Sequence, residues 1–477
     1  MTTRWTGALA AAAAVLQGHA APLPAQDAAA VAGEWHGAAE VRVDAGPPLS
    51  VRLRVEADGG RLRAFLTLPE SRQVALALPS PYSDSAAVTW RDGVLRLELT
   101  PDIGFGFIGR LGIPREQERI VLEVRPRGDQ LAGRLTVTTL TAPVTLRRGR
   151  PAVAYREERV RYENRVDGLV LGASLLLPAG RGPHPVAVFV TGSDPDTRDA
   201  WRYEAEALLA RGVGALLYDK RGVGESAGAS HDLASWENLS TDVEAGIAWL
   251  LTRPDVVDTA RIGLVGQSQG TWMLAKVGAR NPHVRFLANL SGSGMSAAEQ
   301  ETYRTGALMR ADGFAEEEIE RARAFQRQKF AVARTGLGWA ALDSAMQRLR
   351  ADSVRWFPGY GTGAATRSLA VLRLFGVLQF DYDPVPDLER IRVPTLVIMG
   401  GDDLVFPPDE VVARMRRAAE RAGNPDFTAV VIPGASHGLM SVQTAGGRPF
   451  RRAVDDRFVR TLADWVAARV RPAAARE

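Results

Sequence analysis

Residues 264–272 read LVGQSQGTW, with Ser268 set between Gly266 and Gly270. A G-x-S-x-G spacing directly after an apolar run fits a very tight strand-to-helix turn, because the residues two before and two after the serine must lack bulk. Such a turn forces the serine backbone into an unfavourable conformation and lifts its hydroxyl clear of the sheet. A serine so presented becomes a nucleophile when a base can take its proton. Six histidines are available: His19, His36, His184, His231, His283 and His437. The first five read as leader, β-region, surface or loop residues. His437 differs, since FTAVVIPGASHGL is a strand, then a glycine turn, then an imidazole. That imidazole can take the serine proton and return it to a leaving group. Between serine and histidine, VPTLVIMGGDDLVFPP is a strand ending in an acidic loop. Asp402 and Asp403 compete there for the task of orienting the imidazole.

The elements around Ser268 agree with this chemistry. Residues 261–265 are a short apolar run suited to a buried parallel strand. From Trp272 the pattern is helical and stops near Asn281 and Pro282, where proline cannot propagate it. Upstream, Thr241-Asp242-Val243-Glu244 reads as a capping box opening a helix through Trp249 and Leu250. From about Val160 onward strands alternate with helices, the signature of a parallel α/β sheet. Between Met295 and about Asp387 the periodicity is helical only, so the stretch reads as a helical insertion, a cap, between strands. Glu316, Glu317 and Glu318 read as acids favouring a helix N-terminus, with a substrate-amine site as the functional alternative. Trp339, Trp356, Phe357, Tyr360, Phe375 and Phe380 read as packing of the cap, with an acyl pocket as their alternative.

Residues 31–150 have a different texture. Apolar and polar residues alternate on both sides of turns at Asp58-Gly59-Gly60, Asp92-Gly93 and Gly128-Asp129. Hairpins at this spacing predict a small antiparallel all-β domain, a sandwich or barrel. Its opening, Gly33-Glu34-Trp35-His36-Gly37, resembles the start of lipocalin-like barrels. No catalytic constellation stands out, so the domain reads as an accessory, with residues 151–164 as the connection to the next domain.

Arg4 and the Ala-rich apolar stretch after it, followed by APLPAQD, read as a secretory signal peptide over residues 1–25. Cleavage after Ala20 or Ala25 fits, Ala25 better, and a periplasmic or secreted protein is expected. No other stretch is apolar for long enough to cross a bilayer, so stable membrane insertion is not expected once the leader is removed. The chain has no cysteine, hence neither disulfide framework nor lipid-attachment thiol. Of 59 basic residues only Lys220, Lys276 and Lys329 are lysines. The arginines are spread along the chain among acids, unlike the clustered charge of a nucleic-acid site. No metal-binding or phosphate-loop motif is present, and no cofactor is implied. Oligomeric state is not legible.

Three loops in order carry a family resemblance. Thr191-Gly192-Ser193-Asp194-Pro195 with Arg198-Asp199 resembles the HGSGP-x-x-RD loop of one group of α/β-hydrolases. Residues 219–226, DKRGVGES, match that group's D-x-R-G-x-G-x-S loop, and residues 266–270 its nucleophile turn. The likeness spans roughly residues 160–470, with the helical cap at about 295–387. Thr191 replaces the usual histidine and Asp194 the usual glycine, departures that bear on substrate fit. The resemblance implies an α/β-hydrolase fold with a helical cap insertion and the chain order Ser268, acid, His437. Its G-x-x-D spacing, with proline four residues after the acid, selects Asp403 over Asp402. It places the oxyanion donors at the backbone N–H groups of Gln269 and Ser193. The implied activity is a serine hydrolase cleaving small-molecule carboxylic esters through an acyl-enzyme. An aminopeptidase-like serine peptidase is the first alternative, and a non-catalytic binding protein on the same scaffold the second.

Overall fold

The computed structural model describes residues 29–58, 61–78, 87–99, 119–151, 155–363, 368–376 and 380–471. The leader expected over residues 1–25 lies outside them.

The predicted hairpins form β1 (Gly33–Ala39), β2 (Ser50–Asp58), β3 (Arg61–Leu68), β4 (Gln73–Leu78), β5 (Ala87–Arg91), β6 (Val94–Leu99), β7 (Ile120–Arg127), β8 (Gln130–Val137) and β9 (Leu140–Arg148). They make one antiparallel sheet in the order β4-β3-β2-β1-β9-β8-β7-β6-β5. Because β1 pairs with β9, the sheet curls on itself, and β5 returns against β3 as a nearly closed barrel. Alternation explains the inside: in β6, Leu95, Leu97 and Leu99 are buried while their neighbours are half-exposed.

The second sheet contains β10 (Tyr155–Asn164), β11 (Leu169–Pro178), β12 (His184–Val190), β13 (Gly214–Tyr218), β14 (Val257–Gln267), β15 (Val284–Leu290), β16 (Thr395–Gly400) and β17 (Phe427–Ile432). Their order is β10-β11-β13-β12-β14-β15-β16-β17. The pairings from β13 through β17 are parallel, and β10 and β11 extend that sheet antiparallel. The stretch expected to be a connection, residues 151–164, therefore contains the first strand of this sheet. Its alternating YREERVRYEN composition suits an edge strand with one wet face.

Helices cover both faces. Helices α1 (Arg202–Leu209), α2 (Trp236–Leu250) and α3 (Gly270–Arg280) precede the cap, and the cap supplies α4 (Ala297–Ala311), α5 (Glu316–Thr335), α6 (Trp339–Ala351) and α7 (Leu369–Phe375). After it come α8 (Val385–Leu388), α9 (Pro408–Ala422) and α10 (Asp456–Val470). One apolar core joins α2, α3 and α9 to the sheet, and another joins α1 and α10 to its opposite face. Strands so enclosed must be apolar on both sides, as the wholly buried β13 and β16 are. The cap has a core of its own around Met309, Phe325, Trp356 and Phe357. One helix start differs from expectation. Helix α2 opens six residues before Asp242, at Trp236, where Ser235 and Asn238 form the capping box. Asp242 is instead spent on the buried Arg221 guanidinium.

The last two strands, β18 (Met440–Ala445) and β19 (Arg448–Val454), form a separate hairpin beside the barrel. Among the described residues no helix is long and apolar enough to cross a membrane.

Candidate active site

Ser268 closes the turn between β14 and α3 with φ of 51°. A non-glycine residue held in this left-handed region costs on the order of 1–3 kcal/mol, which the surrounding sheet must offset. The flanking glycines are required by close approach. A Cβ on Gly270 would lie 2.3 Å from the carbonyl oxygen of Val190, and one on Gly266 would lie 2.5 Å from Leu274 Cδ1. The Ser268 N–H donates to the Leu290 carbonyl at 2.9 Å, which pins the turn to the neighbouring strand.

His437 sits in the loop after β17, with its side chain 23% exposed. Its Nε2 lies 2.9 Å from Ser268 Oγ and its Nδ1 lies 2.9 Å from Asp403 Oδ2. A carboxylate only accepts, so Nδ1 carries the proton and Nε2 is left to accept from the serine hydroxyl. Asp403 follows β16, and its side chain is fully buried. Its second oxygen, Oδ1, accepts from the N–H groups of Val405 at 2.7 Å and Phe406 at 3.0 Å. Phe406 also stacks on the imidazole, ring centroids 5.8 Å apart and 15° from parallel. The competing Asp402 is exposed. Of the six histidines, only His437 meets the serine among those described: His36 Nδ1 contacts the Gly149 carbonyl, and His19 lies outside the described residues.

Gln269 is the N-cap of α3, and Ser193 lies in the loop after β12. Gly192 brings that loop against Ser268, since a Cβ there would sit 3.6 Å from Ser268 Cβ and 2.5 Å from Gln267 Oε1. Behind the loop is a residue that sequence reasoning missed. The buried Lys220 Nζ donates to the Gly192 carbonyl, to Gln269 Oε1 at 2.8 Å and to the Asp194 carbonyl at 3.3 Å. Burial pulls this ammonium down to about 8, against the opposing pull of Asp196, Asp194 and Asp232. His231, read from sequence as a loop residue, is buried with Nε2 3.0 Å from the Ser193 carbonyl. Burial and the Lys220 cation hold its imidazole below the ordinary value. The sequence does carry a signal for Lys220, as one of three lysines in an arginine-rich chain.

The remaining loop residues are structural. Asp219 receives Arg198 Nε at 3.1 Å, Arg198 Nη2 at 2.5 Å, and the N–H groups of Arg198 and Glu225 at 2.7 and 2.9 Å. One carboxylate thus ties the loop after β12 to the loop after β13. A cavity of about 700 Å³ opens between the cap and the acid loop, with Tyr303, Arg323, Phe330, Phe380, Pro407 and Arg414 in its wall. The Tyr303 hydroxyl donates to the Asp403 carbonyl at 3.3 Å, so the cavity abuts the Asp403 end of the Ser268–His437–Asp403 array. Of the cap acids, Glu316 pairs with Arg310 at 2.6 Å in the first turn of α5. Trp356 and Phe357 are core of the cap, whereas Phe380 faces the cavity. Among the described residues no group of His, Cys, Asp and Glu side chains gathers as a metal site.

Comparison with known proteins gives the family. Residues 187–453 match the profile of the alpha/beta hydrolase family. The 2,6-dihydropseudooxynicotine hydrolase of Paenarthrobacter nicotinovorans is 27% identical over 139 residues, which is 28% of this chain and 35% of that protein. The match thus spans about a third of that relative's length. A non-heme haloperoxidase of Rhodococcus erythropolis is 28% identical over 253 residues, covering 52% of this chain and 84% of its own. Among solved structures, an esterase of Pyrococcus furiosus aligns with a TM-score of 0.42 and 15% identity, over 68% of this chain and 94% of that one. The family profile covers more than half of the chain and includes Ser268, Asp403 and His437, and the chain belongs to the α/β-hydrolase family.

Proposed function

We propose that the chain is an exported serine hydrolase that cleaves small-molecule carboxylic esters through an acyl-enzyme. The observation that carries this reading is the unbroken relay from Ser268 Oγ through both nitrogens of His437 to a buried carboxylate, 2.9 Å at each link. Ser268 Oγ attacks the ester carbonyl while His437 Nε2 takes its proton. Asp403 accepts from Nδ1–H and stabilises the imidazolium, its other oxygen held in place by two backbone N–H groups. The N–H groups of Gln269 and Ser193 receive the negative charge that develops on the carbonyl oxygen. Nε2 then protonates the departing alkoxide, the alcohol leaves, and the acyl group stays on Ser268. A water molecule, deprotonated by Nε2, attacks the acyl carbon, and collapse of the second intermediate releases the acid and restores the serine hydroxyl.

The same machinery cleaves amides, so fold does not select the ester. What favours it is the cap: Glu316, one of the acids weighed as an amine-binding group, is engaged with Arg310. The hydrolase name of the nicotinovorans relative supports hydrolytic chemistry in general. Export rests on the leader-like sequence of residues 1–25. The test is labelling with a fluorophosphonate, followed by turnover of p-nitrophenyl esters and aminoacyl p-nitroanilides. Labelling at Ser268 with short-chain esters faster than any anilide is expected. Anilide cleavage without ester preference would replace the esterase reading by a peptidase, and a folded protein that takes no label would point to a binding role.

A further inference from the structure

The chain that leaves His437 does not return to its own sheet. After Gly438 and Leu439 it enters β18 and β19, and that separate hairpin packs against the N-terminal barrel. Phe450 is 1% exposed and belongs to the barrel's apolar core. Its carbonyl accepts from Thr138 Oγ1 of the barrel at 2.8 Å. The wholly buried Arg451 donates to the carbonyls of Pro47 and Pro48 at 3.0 and 2.7 Å. These buried contacts join the hairpin to the barrel through both apolar packing and hydrogen bonds.

A second contact reaches the histidine loop itself. Arg72 ends a short 3-10 turn of the barrel, beside β4, and its Nη1 donates to the carbonyl oxygen of Gly438 at 2.5 Å. The rest of its guanidinium is held from the hydrolase side. Nε and Nη2 meet Glu204 Oε1 at 2.8 and 2.6 Å, and the Trp201 ring lies 3.9 Å beneath. Glu204 is fully buried in α1, so the fork cannot swing away without stranding a charge. The residue after His437 is thereby fixed by a side chain of the other domain.

We infer that the N-terminal β domain is part of the catalytic apparatus rather than an appended module, and that Arg72 is a positioning residue that sets the His437 loop against Ser268. The inference rests on the reading of His437 as the general base. A misplacement of reacting groups by about 1 Å can cost on the order of a hundredfold in rate, so a clamp on the adjacent peptide is worth having.

The test uses the full chain with two variants. Arg72→Lys keeps a cation for Glu204 but lacks the fork that also serves Gly438. Arg72→Met with Glu204→Gln removes both the bond and the stranded charge. Each is expected to lower kcat by about tenfold to a hundredfold while KM stays within about twofold. Thermal unfolding and circular dichroism check folding, and Arg72→Lys carries the test if the double variant does not fold. A folded Arg72 variant with wild-type kcat would overturn the inference, as would kcat, KM and melting temperature all worsening together. His437→Ala separates the two levels. Activity surviving it would remove the general-base reading, whereas its loss beside a fully active Arg72 variant would remove only the role given to the β domain.

Discussion

Lys220 Nζ lies 2.8 Å from Gln269 Oε1 and also donates to the carbonyl of Gly192, so one buried cation bridges the two segments proposed to supply the oxyanion donors. The Gly192 carbonyl belongs to the same peptide unit as the Ser193 N–H. A positive charge at its oxygen end orients that unit and adds favourable potential where negative charge would develop. Lys220→Met is therefore expected to lower kcat by about tenfold or more, less than the roughly 10²–10³ typical of losing a donor outright. The ammonium has three donors for three acceptors, and the neutral amine has only two. With Lys220 drawn down to about 8, activity should fall as pH rises through that value. The groups facing it are Asp194, Asp196, Asp232 and His231, and burial pushes Asp196 up to about 6, well below that window. A kcat–pH profile checks this: the alkaline limb should vanish in Lys220→Met, and its persistence there would assign it elsewhere.

Asp403 and Asp402 are neighbours with opposite surroundings, one fully buried against His437 and the other exposed. Asp403→Asn should lower ester turnover by at least about 10²-fold, since the amide disturbs the imidazole tautomer. The same exchange in the triad of a serine protease costs about 10⁴ in turnover. Asp402→Asn should stay within about tenfold. Both are measured at saturating ester, with circular dichroism as a check on folding.

What the sequence disclosed and what it hid follow a physical division. Ser268 directly follows β14, and Asp403 and His437 stand in the loops after β16 and β17, so strand-then-loop patterns mark all three positions, while the choice of Asp403 over Asp402 comes from the family spacing. Lys220 and His231 contact a loop more than two dozen residues away, and Arg72 contacts another domain, relations that no window of sequence displays. The start of α2 is misplaced by the pattern at Thr241 because Thr-x-x-Glu mimics a capping box, while Ser235 does the capping. Residues 155–164 resemble a connection because an edge strand with one wet face carries few apolar residues.

Asp219 should make the fold acid-sensitive. Burial pushes its carboxyl upward, but the Arg198 guanidinium and two backbone N–H groups outweigh this and hold it below 3.8. A carboxyl depressed on folding contributes stability that is full above its unfolded value and is lost as pH falls through the folded one. Asp219→Ala leaves the Arg198 charge, 7% exposed, with only the half-exposed Glu225 carboxylate at 3.2 Å as its counter-charge, and should cost about 3 kcal/mol near neutrality. Urea titrations at pH 7 and at about pH 3 check the sign, because the gap between variant and wild type should narrow at the lower pH. An equal gap at both would mean that the carboxylate charge is not what matters.

Gly270→Ala sets two rules of helix chemistry against each other. Alanine is the better helix former by about 1 kcal/mol, so propensity alone predicts a more stable protein. Sterics predict the reverse, since the new Cβ would lie 2.3 Å from the Val190 carbonyl oxygen and 3.0 Å from that of Thr191. These are backbone atoms at the end of β12, a strand hydrogen-bonded on both sides by β13 and β14, and they cannot rotate out of the way. Relief must come from shifting α3 or the end of β12, and overpacking of this kind costs about 1–3 kcal/mol. Either shift also moves the Ser193 loop relative to Ser268, so turnover should fall with stability. Gly278→Ala, within the same helix, is the comparison. There the nearest atom, Leu287 Cδ1 at 2.7 Å, is the tip of a side chain that can turn aside. Thermal unfolding of the two variants decides between the rules: Gly270→Ala should melt below both wild type and Gly278→Ala. A melting temperature at or above wild type would show that the turn has slack and that the glycine is not required by close approach.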